Sequence, residues 1–450
     1  MTVREGSLEA PTRHPIDWKG PDYYDETKIV AEMERIFDIC HGCRRCVSLC
    51  NTFPKLFDYV DESESGEVDG VPKEKYWDVV DQCYLCDMCY MVKCPYVPPH
   101  PWNVDFPHTM LRAKAHQFRE GKLRHKFRDS QLSATDRNGK LATIPIVVQV
   151  VNASVKAKPL RELGQKVMHV DKDAWVPQFA PRTFRPNAAR SKAHPVRDGE
   201  RTPGKVAIFS TCYVNYNEPG IGHDLVAILD HNEIPHVLVE KEACCGMPKF
   251  EQGDLEAVEK LMRRNIPQMS RIAREGYAIL TPVPSCTLMF KQELPLMFPD
   301  DEDVKAVRDA MFDPFEYFMA RRRDGLLKTD FKAPLGRVAY HVPCHSRVQK
   351  GAMKTGEALS SIPGTEVTVI ERCSGHAGTW GVKEEFHETA LKIGRPVVRQ
   401  IADLKPDYFS SDCQLAGHHL EEGLERNDTK GEAKLRHPLS LLRIAYGLPD

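Results

Sequence analysis

Cys40-His-Gly-Cys43-Arg-Arg-Cys46-Val-Ser-Leu-Cys50 is followed, 32 residues on, by Cys83-Tyr-Leu-Cys86-Asp-Met-Cys89-Tyr-Met-Val-Lys-Cys94-Pro95. Each run is a C-x2-C-x2-C triple with a fourth cysteine behind it. An iron–sulfur cube needs one thiolate per iron, and three thiolates two residues apart wrap a tight loop around three of its corners. In such paired runs the fourth thiolate comes from the other run. The spacing therefore assigns Cys40, Cys43, Cys46 and Cys94 to one [4Fe–4S] cluster, and Cys83, Cys86, Cys89 and Cys50 to a second. There are two departures: four residues, not three, precede Cys94, and no proline follows Cys50. Zinc sites also use C-x2-C pairs, but one zinc ion takes four ligands and has no use for a triple at this spacing.

The pattern is that of a two-cluster ferredoxin. The 32-residue spacer is too long for the compact β-α-β version and suits an α-helical ferredoxin domain, in which helices carry the cysteine loops. At 450 residues the chain is long enough for about two to three domains with ample core. A net charge of −2 gives no sign of a nucleic-acid binder. Of 15 cysteines the two runs use eight, and the others also sit in patterned places. Such usage points to metal ligation in a reducing compartment rather than to disulfides. Residues 1–20 are polar with no apolar signal-peptide core, and no run of 18 apolar residues exists to span a membrane. The expected location is cytoplasmic, or peripheral on the inner face of the cell membrane.

Residues 1–24 read as an extended arm. Asp25 or Thr27 is set to cap a helix through Ile39, with Ile29, Met33, Ile36 and Phe37 on one face. Thr52–Tyr59 is helix-compatible, and Asp61–Asp69 is an acidic surface loop. Pro95, Pro98, Pro99 and Pro101 predict extended chain. A helix from Pro107 places Met110, Leu111, Ala115 and Phe118 on one side and Arg112, Lys114, Arg119, Lys122, Arg124, Lys126 and Arg128 on the other. A basic amphipathic helix is either a solvated face or a surface for anionic lipid or an acidic partner. The apolar half of Gly139–Met168 reads as a strand, or as a buried or interfacial helix. Trp175–Lys205, rich in Pro and Arg, reads as the crossing between domains.

The remaining half contains a duplication. Lys205-Val-Ala-Ile-Phe-Ser-Thr-Cys212 answers to Arg337-Val-Ala-Tyr-His-Val-Pro-Cys344. His236-Val-Leu-Val-Glu-Lys-Glu-Ala-Cys244-Cys245-Gly246 answers to Val367-Thr-Val-Ile-Glu-Arg-Cys373-Ser374-Gly375. Ala278-Ile-Leu-Thr-Pro-Val-Pro-Ser-Cys286 answers to Tyr408-Phe-Ser-Ser-Asp-Cys413. Corresponding cysteines (212/344, 244/373, 286/413) are offset by 132, 129 and 127 residues, the drift of a diverged repeat. Helical periods such as Leu255–Ile272 and Glu384–Ile401 lie between, so each copy alternates strand and helix. The cysteines follow strands, where open α/β sheets bind their ligands.

The two copies behind the cysteine runs resemble the C subunit of anaerobic glycerol-3-phosphate dehydrogenase, and are similar to the CCG-domain subunits of heterodisulfide reductase and glycolate oxidase. The resemblance rests on Tyr213-Val-Asn-Tyr-Asn217, Cys244-Cys-Gly-Met-Pro248, Tyr340-His-Val-Pro-Cys344-His345, Gly375-His-Ala-Gly-Thr-Trp-Gly381 and His437-Pro-Leu. It spans roughly Cys40 to Gly447. It implies electron transfer from a flavin dehydrogenase partner toward membrane quinone. A full CCG module has five cysteines: one early, an adjacent pair and a late C-x2-C. The first copy keeps Cys212, Cys244, Cys245 and Cys286, with Val283 where the late pair would begin; four thiolates can hold a third iron–sulfur cluster or a zinc ion. The second keeps Cys344, Cys373 and Cys413, with Ser374 and Ala416 in place of cysteines, and His341, His345 and His376 close in sequence.

The expected architecture is α+β and multidomain: an α-helical two-cluster ferredoxin domain (1–128), a connecting segment (129–204), a first α/β CCG repeat (205–330) and a second, degenerate one (331–450). The expected role is that of an iron–sulfur electron-transfer component of an oxidoreductase rather than a stand-alone enzyme. The competing role is a thiol/disulfide reductase of heterodisulfide type, which needs a substrate-facing cluster with all five ligands. Without a G-x-G-x-x-G after a strand, a P-loop or a G-x-S-x-G, no nucleotide or flavin site is visible, and organic substrate oxidation falls to a partner.

Overall fold

Asp25 begins the first helix, its side chain accepting from the backbone N–H of Lys28 at 3.0 Å. The computed structural model of the chain describes residues 6–7, 9–349 and 352–449. Helix α1 (Glu26–Cys43) buries Ile29, Met33, Ile36 and Phe37, the stripe its sequence predicts. It does not stop at Ile39. It carries Cys40 and Cys43 on its last turn, and Arg44, left-handed at φ 50°, ends it. Helices α2 (Thr52–Asp61) and α3 (Glu74–Gln82) pack against each other, with α3 delivering the chain into Cys83. The rings of Phe53 and Phe106 meet at 4.9 Å, and Phe37 joins the same cluster. Of the expected extended arm, residues 10–17 have no regular structure and 18–24 are turned, with the Gly20 N–H on the Asp17 carbonyl at 2.9 Å, while residues 1–5 and 8 lie outside the described residues. The arm is anchored by Ile16 and Trp18, buried in this core.

Two expectations fail here. The proline stretch 95–102 is turned rather than extended, with the His100 N–H on the Val97 carbonyl (2.9 Å) and the Asn103 N–H on that of His100 (2.9 Å). Helix α4 (Phe106–Arg119), capped by Asp105, is shorter than the basic stretch, and part of that stretch turns inward. Arg112 donates to the Tyr23 carbonyl at 2.7 Å, and Arg119 lies over the Tyr24 ring at 4.4 Å. The helix ends at Arg119, and Arg128, expected on the same face, is buried.

Residues 126–168 form four helices joined by short turns: α5 (Lys126–Leu132), α6 (Thr135–Ala142), α7 (Val147–Lys156) and α8 (Lys158–Met168). The strand alternative for Gly139–Met168 is thereby excluded. Helices α7 and α8 form a hairpin whose apolar side is open, with Val150 at 64%, Leu163 at 56% and Val167 at 58% exposure.

Two four-stranded parallel sheets follow. In the first, β1 (Val206–Ile208), β2 (His236–Leu238), β3 (Ala278–Leu280) and β4 (Met311–Phe312) run in the order 2-1-3-4. In the second, β5 (Gly336–His341), β6 (Thr365–Ile370), β7 (Tyr408–Ser411) and β8 (Lys434–Leu435) repeat that order as 6-5-7-8. The duplication read from the cysteine spacing is thus a duplication of topology. The fourth strands, two residues each, are too short to show in sequence. The predicted helical stretches are the Leu255–Arg274 and His387–Leu404 helices. In each sheet the order reverses beside the first strand, and the cysteines follow the strand carboxyl ends at that switch point.

Candidate metal centres

Cys40, Cys43, Cys46 and Cys94 line one cavity, and Cys50, Cys83, Cys86 and Cys89 line a second. Each cavity thus gathers three cysteines of one run and the fourth of the other. The second loop winds by placing Leu85 (φ 53°) and Asp87 (φ 62°) in the left-handed region between its cysteines. The extra residue before Cys94 is taken up by a wide π-type turn over Cys89–Lys93, closed by the Cys94 N–H on the Cys89 carbonyl at 2.8 Å. Burial pushes the thiols up: Cys83 to about 12, and Cys94 to about 11. In Cys46, pushed up to about 12, burial is joined by Cys94 of its own set and Cys50 of the other. Four such thiols ionise together only around a bound cationic group, which is what a metal cluster supplies.

One buried charge network braces the second loop. Arg13 of the arm donates to Asp87 at 2.5 and 3.0 Å and to Asp105 at 3.1 Å. Gln292 of the first repeat also reaches Asp87, at 3.0 Å. His108 bridges Asp105 (3.2 Å) and Glu293 (3.1 Å), and their carboxylates hold it protonated, at about 9, against its burial.

In the first repeat all four cysteines come together. Cys212, Cys244, Cys245 and Cys286 interact in succession, each side chain with the next. Cys244 is the sulfur on which donors converge: hydrogen bonds from Cys212 and Cys245 lower it well below an ordinary thiol despite burial. The Gly246 N–H points at the same sulfur at 3.5 Å, which requires the backbone of Gly246 at φ 103°. From α6, the Asp136 carboxylate accepts from the Cys244 N–H at 2.6 Å. Four thiols gathered in this way could hold a metal centre.

The second repeat reproduces the frame with fewer sulfurs. The Gly375 N–H points at the Cys373 sulfur at 3.4 Å, with φ 85°. Cys344, Cys373 and Cys413 line one cavity with Ser374, Ala416, His345, His376 and Glu251. Burial pushes Cys413 up to about 11. The three histidines divide. His341 is turned away, with Nδ1 on the Ser411 hydroxyl (3.1 Å) and Nε2 on the Arg372 carbonyl (2.9 Å), and is a hydrogen-bonded structural residue. His345 is occupied by the Ser285 hydroxyl at 3.0 Å. His376 alone of the three keeps a buried nitrogen, Nε2, with no hydrogen-bond partner among the described residues.

The same cavity reaches Cys86 and Tyr84 of the second cysteine loop. The Tyr84 hydroxyl lies 3.5 Å from the Cys373 sulfur, and after burial Cys344 and Cys373 are the leading causes that raise Cys86. Trp380 locks the junction, its indole N–H on the Asp81 carbonyl at 3.0 Å and its ring 5.3 Å from that of Tyr84.

The comparisons with known proteins bear on this arrangement. The profile of the cysteine-rich domain, CCG, matches residues 206–291 and 338–421, one span per sheet. The C subunit of the anaerobic glycerol-3-phosphate dehydrogenase of Escherichia coli (strain K12) is 29% identical over 347 residues, 77% of this chain and 83% of that protein. The chain belongs to the CCG-domain iron–sulfur family. The B subunit of the fumarate reductase (CoM/CoB) of Methanothermobacter marburgensis is 30% identical over 253 residues, 55% of this chain and 48% of that protein. Lactate utilization protein A 2 of Bacillus mycoides is 30% identical over 212 residues, 45% of this chain and 81% of that protein. The resemblance drawn from the cysteine-pair motifs is thus borne out. The first two of these relatives are named as subunits of a dehydrogenase and of a reductase.

Within the CCG frame, sequence reasoning missed three contributors. Tyr84 was one residue of a cysteine loop, with nothing to show that it meets Cys373, 289 residues away. Asp136 belonged to a connecting segment. Glu251 is the least expected: burial raises its carboxyl to about 8, against the pull of Lys114 and Lys383, and the charge of Cys244 adds to the rise. It lines the second-repeat cavity and a neighbouring one reached by Lys114, Arg124 and Lys383. A side chain at Gly378 would meet its Oε2 at 2.6 Å. Among the described residues no helix is long and apolar enough to cross a membrane.

Proposed function

We propose that this chain is an iron–sulfur electron-transfer component that receives electrons from a flavin dehydrogenase-type partner and passes them toward a quinone or another acceptor. Iron–sulfur clusters supply reversible one-electron transfer, at potentials set by burial and by hydrogen bonds to their sulfurs. Cys40, Cys43, Cys46 and Cys94 would hold one [4Fe–4S] cluster, and Cys83, Cys86, Cys89 and Cys50 the other. Cys212, Cys244, Cys245 and Cys286 would hold a third centre, iron–sulfur or zinc. Cys344, Cys373 and Cys413, with His376 as the available nitrogen, form a lesser candidate.

The observation that carries the reading is the junction of Tyr84, Cys86 and Cys373, which puts the second cysteine loop against the second repeat. The cysteine sets then follow one another. The outer set is half-buried, with exposed Val47, Val92 and Trp102 around it for a partner to cover. Cys46 and Cys50 lead inward to the second set, of which Cys83 and Cys89 are buried, and Cys86 leads on to Cys344 and Cys373. Relatives named as components of a dehydrogenase and a reductase support the same role. The open apolar side of α7–α8, with Lys156, Lys158 and Lys166 beside it, supports peripheral contact with an anionic membrane face.

Anaerobic iron, sulfide and zinc analysis with EPR of the reduced protein tests the reading. About eight irons and two interacting signals are expected from the cysteine runs. About four more, lost in Cys244→Ser, would put a further cluster in the first repeat. Absence of cluster signals altogether would end the proposal.

A further inference from the structure

Three side chains far apart in the sequence and outside every cysteine set meet on the surface of the second repeat. His125 stands at the start of α5, His169 at the end of α8, and Glu384 just before the His387–Leu404 helix. The two imidazoles stack at 3.9 Å with planes 28° apart. The Nδ1 of His169 is 2.5 Å from the Glu384 carboxylate. One ligand atom from each of the three lies within 4.8 Å of the others, and all three residues are half-buried.

The backbone beneath them is fixed. Val170 and Lys383 form an antiparallel bridge, and the Glu384 N–H donates to the His169 carbonyl at 3.1 Å. Arg128 donates to that same carbonyl at 3.2 Å and grips Glu385 with two hydrogen bonds, 2.7 and 2.9 Å. The adjacent carboxylates therefore divide their work. Glu385 neutralises a buried guanidinium, and Glu384 is left to the imidazoles. His169 is held left-handed at φ 51°, a conformation that a non-glycine residue keeps only where its surroundings enforce it.

We propose that His125, His169 and Glu384 form a binding site for a zinc-class divalent cation that clamps the α5–α8 segment onto the second repeat. Two imidazole nitrogens and one carboxylate oxygen are a donor set that zinc accepts with water in the fourth position, at about 2.0–2.2 Å per bond. Ligand atoms around such an ion sit about 3.3 Å apart, so the half-buried side chains close in by an ångström or so while the bridged backbone stays in place. Imidazole with carboxylate favours zinc, nickel or cobalt over magnesium or calcium, which prefer all-oxygen shells. The bound ion would stiffen the base of the hairpin that carries the exposed apolar side.

The test uses the full chain with its iron–sulfur clusters loaded under anaerobic conditions, so that cysteines do not compete for the probe. Zinc is titrated against a chromophoric chelator. One equivalent beyond any zinc held by cysteine is expected, weakened at least about tenfold in His125→Ala and His169→Ala at unchanged iron content. Glu384→Gln, which keeps the shape of the side chain, should weaken it in the same sense. X-ray absorption should report nitrogen and oxygen neighbours for this zinc, and zinc should slow amide exchange in residues 165–172 of the wild-type chain only. Equal zinc retention in the wild type and all three variants, or a purely sulfur-ligated zinc, would overturn the proposal.

Discussion

The two repeats share a strand order and a glycine that aims its N–H at a sulfur, yet they differ in what they keep and in where they sit. The first retains four cysteines in contact, and Asp136 from α6 braces them. The second retains three, and the second cysteine loop is packed on it through Tyr84 and Trp380. The better-furnished site and the better-connected site are different sites. Duplication supplied two like frames; the second has fewer sulfurs to offer a ligand, and docking of the helical region has given it a neighbour that the first lacks.

The strongest way to break this contrast is Cys86→Ser. It should remove about four irons and reduce partner-driven electron flow at least about 100-fold, because Cys86 lies between its own set and the second repeat. Full turnover with an intact partner would refute the order of sites. Next comes the pair Cys373→Ser and Cys245→Ser. If the second repeat is in the path, stopped-flow reduction of the acceptor should slow about tenfold in the first variant and less than about twofold in the second; the opposite result would transfer the terminal role to the first repeat.

The glycines sharpen the contrast in stability. A Cβ on Gly375 would meet the Ala390 carbonyl at 2.0 Å, whereas one on Gly246 finds nothing nearer than 3.5 Å. Both have positive φ. Thermal unfolding should therefore show a loss of about 3 kcal/mol or more for Gly375→Ala and about 1–2 kcal/mol for Gly246→Ala. Equal losses would mean that the second repeat yields more readily than its packing indicates.

The smallest effect concerns the link between the repeats. His418 of the second lies 2.8 Å from Glu218 of the first, and Trp175 stacks on its ring at 4.2 Å. Burial alone would lower this imidazole, but hydrogen bonds to Glu218 and Glu421 raise it to about 9. A raised histidine stabilises the fold fully below its unfolded value of about 6.5 and ceases to as pH rises through about 9. Glu218→Gln should thus cost about 1–2 kcal/mol at pH 6.5 and almost nothing above pH 10. A loss independent of pH would assign the contact to packing instead.

Much of this was legible in the cysteines. Their spacing predicted which eight gather in two sets, and the offsets between Cys212 and Cys344, Cys244 and Cys373, and Cys286 and Cys413 predicted two like sheets. Cysteine loops advertise themselves because metal ligation demands fixed short spacings. Which of His341, His345 and His376 stays available was not legible, because nearness in sequence says nothing of which way a strand residue points; both nitrogens of His341 face the sheet's own hydroxyl and carbonyl groups. Glu251 and Tyr84 were invisible for a related reason, since their significance comes from partners brought near by tertiary packing. The basic stretch after Pro107 reads as an outward face, and Lys122, Arg124 and Lys126 are exposed, but Arg112 donates to the arm and Arg128 is buried.

The open side of α7–α8 also has a colloidal consequence. Ile146 is 78% exposed and Val150 64%, on a hairpin with Leu160, Leu163 and Val167 similarly uncovered. In dilute detergent such a surface is wetted by micelles; in plain buffer at high salt it finds its own kind. Purified protein should therefore change its sedimentation with detergent and ionic strength.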